Sequence, residues 1–300
     1  MIVQHLHIDD GLAGQTRLSG QTPLNSHDLR DWGARIRLAC RFARFRQFEK
    51  SLADVLSTSG TECVTLYGSG DFHHVTLALL HRITQPFNLL VLDNHPDWMR
   101  WVPFLHCGTW LYHAARLPAI QRIFHAGGDV DFDNGFRRLA PRSMLLERKI
   151  IVFPAIRRFQ ASFWRSVPQK PLRPCPEMPV TEQRIASLLA PFADDLGRFP
   201  LYISVDKDVI NVADAVVNWD SGHLSLSEAT AVVRAFVHAA GGKLAGADLL
   251  GDWSPVRLSG VLPRLMHWTE HPRLDIDAGE AASRNEIANL ALLDALNISA

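Results

Sequence analysis

The chain has 300 residues, 47% of them hydrophobic, enough to bury one large core. Its 31 basic and 31 acidic residues cancel to a formal net charge of zero, which speaks against a nucleic-acid surface or a polybasic membrane patch. Four cysteines without a C-x-x-C pair, a start ("MIVQHLHIDDG") without a basic n-region, and no run near the ~18 apolar residues of a membrane span together predict a cytoplasmic protein.

In chain order, "IVQHLHI" (2–8) reads as the first strand. Residues 30–57 place Leu38, Phe42, Phe45 and Phe48 near helical spacing, with the arginines of "RIRLACRFARFRQFEK" (35–50) expected on a solvated face over that stripe. "CVTLY" (63–67), "NLLVLD" (88–93) and "KIIVF" (149–153) read as further strands. The Pro-rich "PQKPLRPCPEMP" (168–179) excludes helix and central strand; it reads as a surface connection, or alternatively as a loop framing a substrate entrance. A helix at 181–191 leads to the strand "LYISVD" (201–206). The helix of 225–240 opens with the capping box Ser225-x-x-Glu228, the strand "KLAGADLL" (243–250) follows, and the same device, Ser283-x-x-Glu286, is expected to start the last helix. Strands alternating with helices predict an α/β fold of one domain over 1–300. Its sheet is mostly parallel and covered on both faces, with ligands beyond the carboxyl ends of the strands.

Three of those strand ends carry chemistry. "LLVLDNHPDW" runs an apolar strand into Asp93, His95 and Asp97, and alternate residues there can converge on one point. "YISVDKDVIN" ends at Asp206 and Asp208; "LYGSGDFHHV" ends in a Gly-rich turn with Asp71, His73 and His74. Hard oxygens plus imidazoles suit Mn²⁺, Fe²⁺, Co²⁺ or Zn²⁺. Four carboxylates and two imidazoles over-supply one cation but suit a pair, which would also offset their mutual repulsion. "DVDFDNG" (129–135) imitates a calcium loop, but its Gly is one place late and position twelve is Ala140, so it reads as a surface turn.

"GSGDFHH", "DNHPD" and "SVDKD" resemble, in order, the three signature motifs of the arginase/agmatinase (ureohydrolase) superfamily: Gly-Gly-Asp-His, Asp-Ala-His-x-Asp and Ser-x-Asp-x-Asp. "NWDSGHLSLSE" (218–228) and "ADLLGDWSP" (247–255) are weaker echoes of its glycine loop and its late Asp-Ile-x-Glu-x-x-Pro strand end. The resemblance implies a three-layer αβα sandwich with a dimanganese site held by His73, Asp93, His95, Asp97, Asp206 and Asp208. His73 is preferred to His74 as ligand because it puts Val75, Leu77 and Leu80 on buried helix positions; His74 is then a supporting or substrate-facing group. His106, in "FLHCG", resembles the family histidine that shuttles protons at the site mouth; a Cys107–His106 nucleophile lacks an orienting third group. The implied reaction is hydrolysis of a guanidino group to urea and an amine.

The chain departs from the pattern in three places. Where the family carries a Glu in its late strand end, this sequence has Gly251–Asp252, so Asp252 is expected to meet the guanidinium, with Asp248 in reserve. The segment after the second motif, "WMRWVPFLHCG", is aromatic; Arg100 could meet a carboxylate while Trp98 and Trp101 stack on a larger ligand. That favours an arginine residue of a ribosomally made peptide, converted to ornithine, over free arginine, agmatine, a guanidino acid or a formimino compound; a catalytically silent metal-bound binding protein is the reading of another class. Lys207, between two ligand aspartates, points away from them by alternation and needs an acidic partner.

Overall fold

The computed structural model describes residues 2–20, 25–56, 62–272 and 276–296. Its strands are β1 (Ile2–His7), β2 (Asn25–Asp28), β3 (Ala39–Cys40), β4 (Cys63–Tyr67), β5 (Phe87–Leu92), β6 (Leu105–His106), β7 (Ile120–Ala126), β8 (Ile150–Phe153), β9 (Leu201–Asp206) and β10 (Leu244–Leu250). Eight of them form one sheet in the order β2-β1-β4-β10-β9-β5-β7-β8, with every neighbouring pair parallel.

Alternation within the strands sorts the apolar residues onto the two faces. Leu90, Leu92, Ile203, Val205 and Leu249 pack under the helices Glu182–Leu189, Leu226–Ala239 and Ala278–Ala295. Leu89, Val91, Tyr202 and Leu250 pack on the other side with residues of the helices Phe42–Val55, Val75–Leu80 and Trp110–Ala114. This is the expected three-layer αβα sandwich, and each fully buried Leu or Val contributes roughly 1.5–3 kcal/mol. Among the described residues no helix is long and apolar enough to cross a membrane.

Several local expectations give way. The amphipathic stretch of 30–57 is not one helix: Arg30–Ile36 ends, Leu38 turns left-handed (φ 62°), and β3 pairs antiparallel with β6 before the helix Phe42–Val55 begins. The break turns Arg37 inward, away from the solvated face predicted for it; it is 1% exposed, with Nε donating to Asp71 Oδ2 at 2.5 Å and a terminal nitrogen to Ser254 Oγ at 3.0 Å. The last helix starts earlier than its Ser-x-x-Glu signal: Asp277 caps it by accepting from the Glu280 N–H, and Glu286 instead accepts from the backbone of Arg17 and Leu18. At Ser225–Glu228 the capping box forms as expected. Strand β7 carries Gln121, Arg122 and His125, which interrupt its apolar run and hide it from a periodicity reading.

Candidate metal centre and substrate pocket

Strands β4, β10, β9 and β5 are adjacent in mid-sheet, so their carboxyl ends deliver side chains to one point. After β4, Ser69 caps a short 3-10 turn, Gly70–Phe72, that presents His73. The extra residue relative to the family pattern, Phe72, is fully buried in the core. His73 Nδ1 lies 3.1 Å from Asp93 Oδ2, 3.1 Å from Asp97 Oδ2 and 3.5 Å from Asp206 Oδ2. His95 Nδ1 lies 2.7 Å from Asp208 Oδ2. Two triads able to hold a cation result, His73–Asp93–Asp97 and Asp93–His95–Asp208, each with donor atoms within 4.8 Å of one another, and they share Asp93.

The loops are pinned by their own backbone. The His95 N–H donates to Asp93 Oδ1 (2.7 Å), the Asn94 N–H to Asp208 Oδ1 (2.9 Å) and the Asp208 N–H to Asp206 Oδ1 (3.1 Å). Asp97 adopts a left-handed backbone (φ 49°) and is held there by Trp110 Nε1 on its carboxylate and the Leu111 N–H on its carbonyl. Beneath the site, His73 Nε2 meets Ser204 Oγ at 3.0 Å, Ser204 donates to Asp248 Oδ1 at 2.7 Å, and Tyr202 OH donates to Asp248 Oδ2 at 2.8 Å. Supporting contacts of this kind orient a ligand imidazole.

The electrostatics fit a cation. Burial, then the neighbouring Asp208, pushes the Asp206 carboxyl well above its ordinary range. Burial and Asp93 lift Asp208 to about 6. Burial opposes a charge on His73 and on His95, yet the surrounding carboxylates outweigh it. Asp93 and Asp97 hold the former well above its usual value, and Asp208, Asp93 and Asp97 lift the latter to about 10. Without other positive charge, then, the cluster retains protons; oxygen and imidazole donors around a shared carboxylate are the chemistry that a divalent cation relieves.

The centre floors a pocket of about 390 Å³ whose lining includes Met99, His106, Cys107, Asp131, Phe136, Trp219 and Asp220. His106 comes from β6, and its Nδ1 accepts the Gly108 N–H at 3.0 Å. Burial, then His113, lowers its pKa to about 4, so the ring is neutral near pH 7 with its proton on Nε2.

Five residues expected at the substrate lie elsewhere. His74 is buried with its ring 6.0 Å from Phe45, in the core rather than the pocket, and burial lowers its pKa to about 3. Asp248 is sealed under the site by Tyr202 and Ser204. Asp252 is fully buried and engaged by Lys207 Nζ at 3.0 Å, Gln15 Nε2 at 2.8 Å and Asn289 Nδ2 at 3.2 Å, which supplies the acidic partner Lys207 requires. Trp98 is 2% exposed and packs against His125, Phe132 and Trp164. Arg100 donates to the Leu139 carbonyl and lies over Trp101. At the family's Glu position, Gly251 has φ 91°, and an added Cβ would stand 2.3 Å from Asp206 Oδ1, so no side chain fits there. The motif reading gave no role to Trp219 or Asp220, which stand in "NWDSGHLSLSE", or to Asp131, in the turn read as surface; all three line the pocket. For Trp219 and Asp220 the available signal was that motif, and for Asp131 its place shortly after the end of β7.

The comparisons agree with this geometry. Solved structures with the same fold include the proclavaminate amidino hydrolase of Streptomyces clavuligerus, with TM-score 0.57 and 16% identity over 98% of this chain and 91% of that one. The formimidoylglutamase of Bacillus subtilis gives TM-score 0.57 and 12% identity over 99% and 87%. The agmatine ureohydrolase of Thermoplasma volcanium gives 0.55 and 13% over 99% and 89%. An uncharacterized protein of Thermotoga maritima is 28% identical over 193 residues, which span 64% of this chain and 59% of that relative. The model of the arginase family matches residues 11–251, across both triads and their supporting strands, and the chain belongs to the arginase family.

Proposed function

We propose that the chain is a metal-dependent hydrolase of a guanidino group, releasing urea, and that its preferred substrate is an arginine residue within a peptide, converted to ornithine. The observation that carries the hydrolase reading is the pair of triads sharing Asp93 at the floor of an open pocket. A shared carboxylate between two donor sets suits two divalent cations, with manganese preferred and iron, cobalt or zinc as alternatives. When bound, such cations lower the pKa of water and so supply a nucleophile near neutral pH.

The chain's own groups then have distinct tasks. Asp206 at the end of β9 and Asp208 in the turn after it, Asp93, His95 and Asp97 after β5, and His73 after β4 would hold the cations. The Ser204–Asp248 contact fixes the His73 ring. His106 presents an Nε2–H at the pocket wall that can hydrogen-bond the substrate, while the two protons the departing amine nitrogen gains are those of the attacking water. The reaction balances as guanidinium plus water giving urea plus an ammonium group.

The preference for a peptide no longer rests on Trp98, which is buried. It rests on Phe136, which lines the pocket and is 47% exposed. An exposed aromatic ring on the pocket wall offers apolar area to a ligand that extends beyond the guanidino group. The test is incubation of Mn²⁺-loaded protein with an arginine-bearing peptide, free arginine and agmatine. Urea and a cyanamide-sized mass loss from the peptide are expected. Urea from free arginine or agmatine alone overturns the peptide; urea from none, with cations bound, overturns the hydrolase.

A further inference from the structure

A guanidinium approaching two cations needs a negative partner, and β10 provides none. Asp248 is enclosed beneath the site, Asp252 is held by Lys207, and Gly251 has no room for a side chain. Among the described residues lining the pocket there is no Lys or Arg, and the carboxylates outside the six proposed metal ligands are Asp131 and Asp220. Asp131 is already engaged, accepting from Asn134 Nδ2.

We infer that Asp220, on the loop between β9 and the helix Leu226–Ala239, is the carboxylate that receives the substrate's cationic group. This rests on the guanidino-hydrolase reading above. The exposed Asp220 carboxylate has no hydrogen-bond or ion-pair partner among the described residues, while its loop is fixed at three points. The Asp220 carbonyl accepts Asn94 Nδ2 at 3.0 Å, and Trp219 Nε1 on one side donates to Asp71 Oδ1 at 2.9 Å. On the other side, the Gly222 N–H donates to the carbonyl of Asp208, itself a triad member. The Trp219 ring stands 5.4 Å from that of His95. These bonds hold the loop backbone, so Asp220 keeps its place relative to both triads and its carboxylate is left available to a ligand. The planar guanidinium suits this wall on two counts: a carboxylate can accept it bidentately, and an indole can face it.

The test compares binding of an arginine-bearing peptide with its citrulline-bearing counterpart, a neutral isostere, to the metal-loaded full chain, read by calorimetry. The wild type should prefer the arginine peptide by about tenfold or more, the equivalent of ~1.4 kcal/mol. Asp220→Asn should lose that preference with metal content unchanged, and Asp220→Glu should restore part of it. A loss of folding would lower affinity for both peptides alike and would not move their ratio. A retained preference in Asp220→Asn, its loss in Asp131→Asn instead, or no preference in the wild type overturns the assignment. Should the wild type release no urea while Asp220→Asn still loses the preference, the hydrolysis falls and the role of Asp220 stands.

Discussion

Lys207→Met is a sharp test of how the candidate site is supported. Lys207 and Asp252 are both fully buried, with Nζ 3.0 Å from Asp252 Oδ2, 2.7 Å from the Leu250 carbonyl and 2.9 Å from Asn289 Oδ1. Removing the lysine leaves Asp252 with Gln15 and Asn289, both donating to Oδ1, and strands Oδ2. Breaking one side of a buried pair costs about 3–5 kcal/mol. Protonation sets a ceiling: moving a carboxyl from its ordinary pKa of ~3.9 to above pH 7 spans about three units, or ~4 kcal/mol at ~1.4 kcal/mol each. Burial already pushes the Asp252 pKa up while Lys207 pulls it down, so the variant's carboxyl should rise further. A raised carboxyl pKa means that the folded state binds the proton more tightly than the unfolded state. Stability is then lost as pH climbs above the unfolded value. The gap between wild type and Lys207→Met, read by urea unfolding with tryptophan fluorescence, should be about 4 kcal/mol at pH 7 and clearly smaller at pH 5. A gap under about 1 kcal/mol at pH 7, or an equal gap at both, would refute the picture of a stranded buried charge.

Asp93→Ala should abolish binding of both cations, because both triads use it, whereas Asp97→Ala should leave one; metal stoichiometry by mass spectrometry decides, and equal losses contradict the shared-ligand geometry. Gly251→Ala should cost roughly 1–3 kcal/mol of backbone strain at φ 91° and weaken metal affinity by crowding Asp206; calorimetric metal affinity equal to wild type would remove the steric argument. Glu228 accepts from Arg173 at 2.8 Å and from the N–H groups of Val180 and Ser225; although burial opposes it, these partners depress its pKa. Its stabilisation is present above the ordinary pKa of ~4.3 and lost as pH falls through the depressed one. Glu228→Ala should therefore cost about 2–4 kcal/mol at pH 7, with a deficit that narrows in acid; a deficit flat across that range would point to packing alone.

Much of the centre was legible because its residues sit two apart at the ends of apolar strands, where alternation and strand termination determine their direction. Asp93, His95, Asp97, Asp206 and Asp208 were singled out as candidates this way, and helix burial after His73 separated it from His74. Legibility failed where a role depends on long-range partners. Asp252 looked like a free carboxylate until Lys207, Gln15 and Asn289 closed around it from positions as remote as 15 and 289. Arg37 looked solvated until the chain broke at Leu38 and turned it toward Asp71. Trp98 and Trp101 were read as equals, yet one is 2% and the other 77% exposed, a difference that local pattern does not encode. Some strands stayed hidden: β7, inside the sheet, mixes polar and apolar residues, and the edge strand β2 and the separate pair β3–β6 are too short for periodicity to register.

The contact between Gly251 and Asp206 also constrains this protein's history. Every substitution at 251 forces a carbon against an oxygen of Asp206, so any change of residue there must be accompanied by a shift of the β9 turn. A lineage in this condition does not revert one step at a time. Gly222, in the loop of Asp220, is barred in the same way, since a Cβ there would stand 2.4 Å from the Val209 carbonyl, so both walls beside the β9 turn are built on glycine.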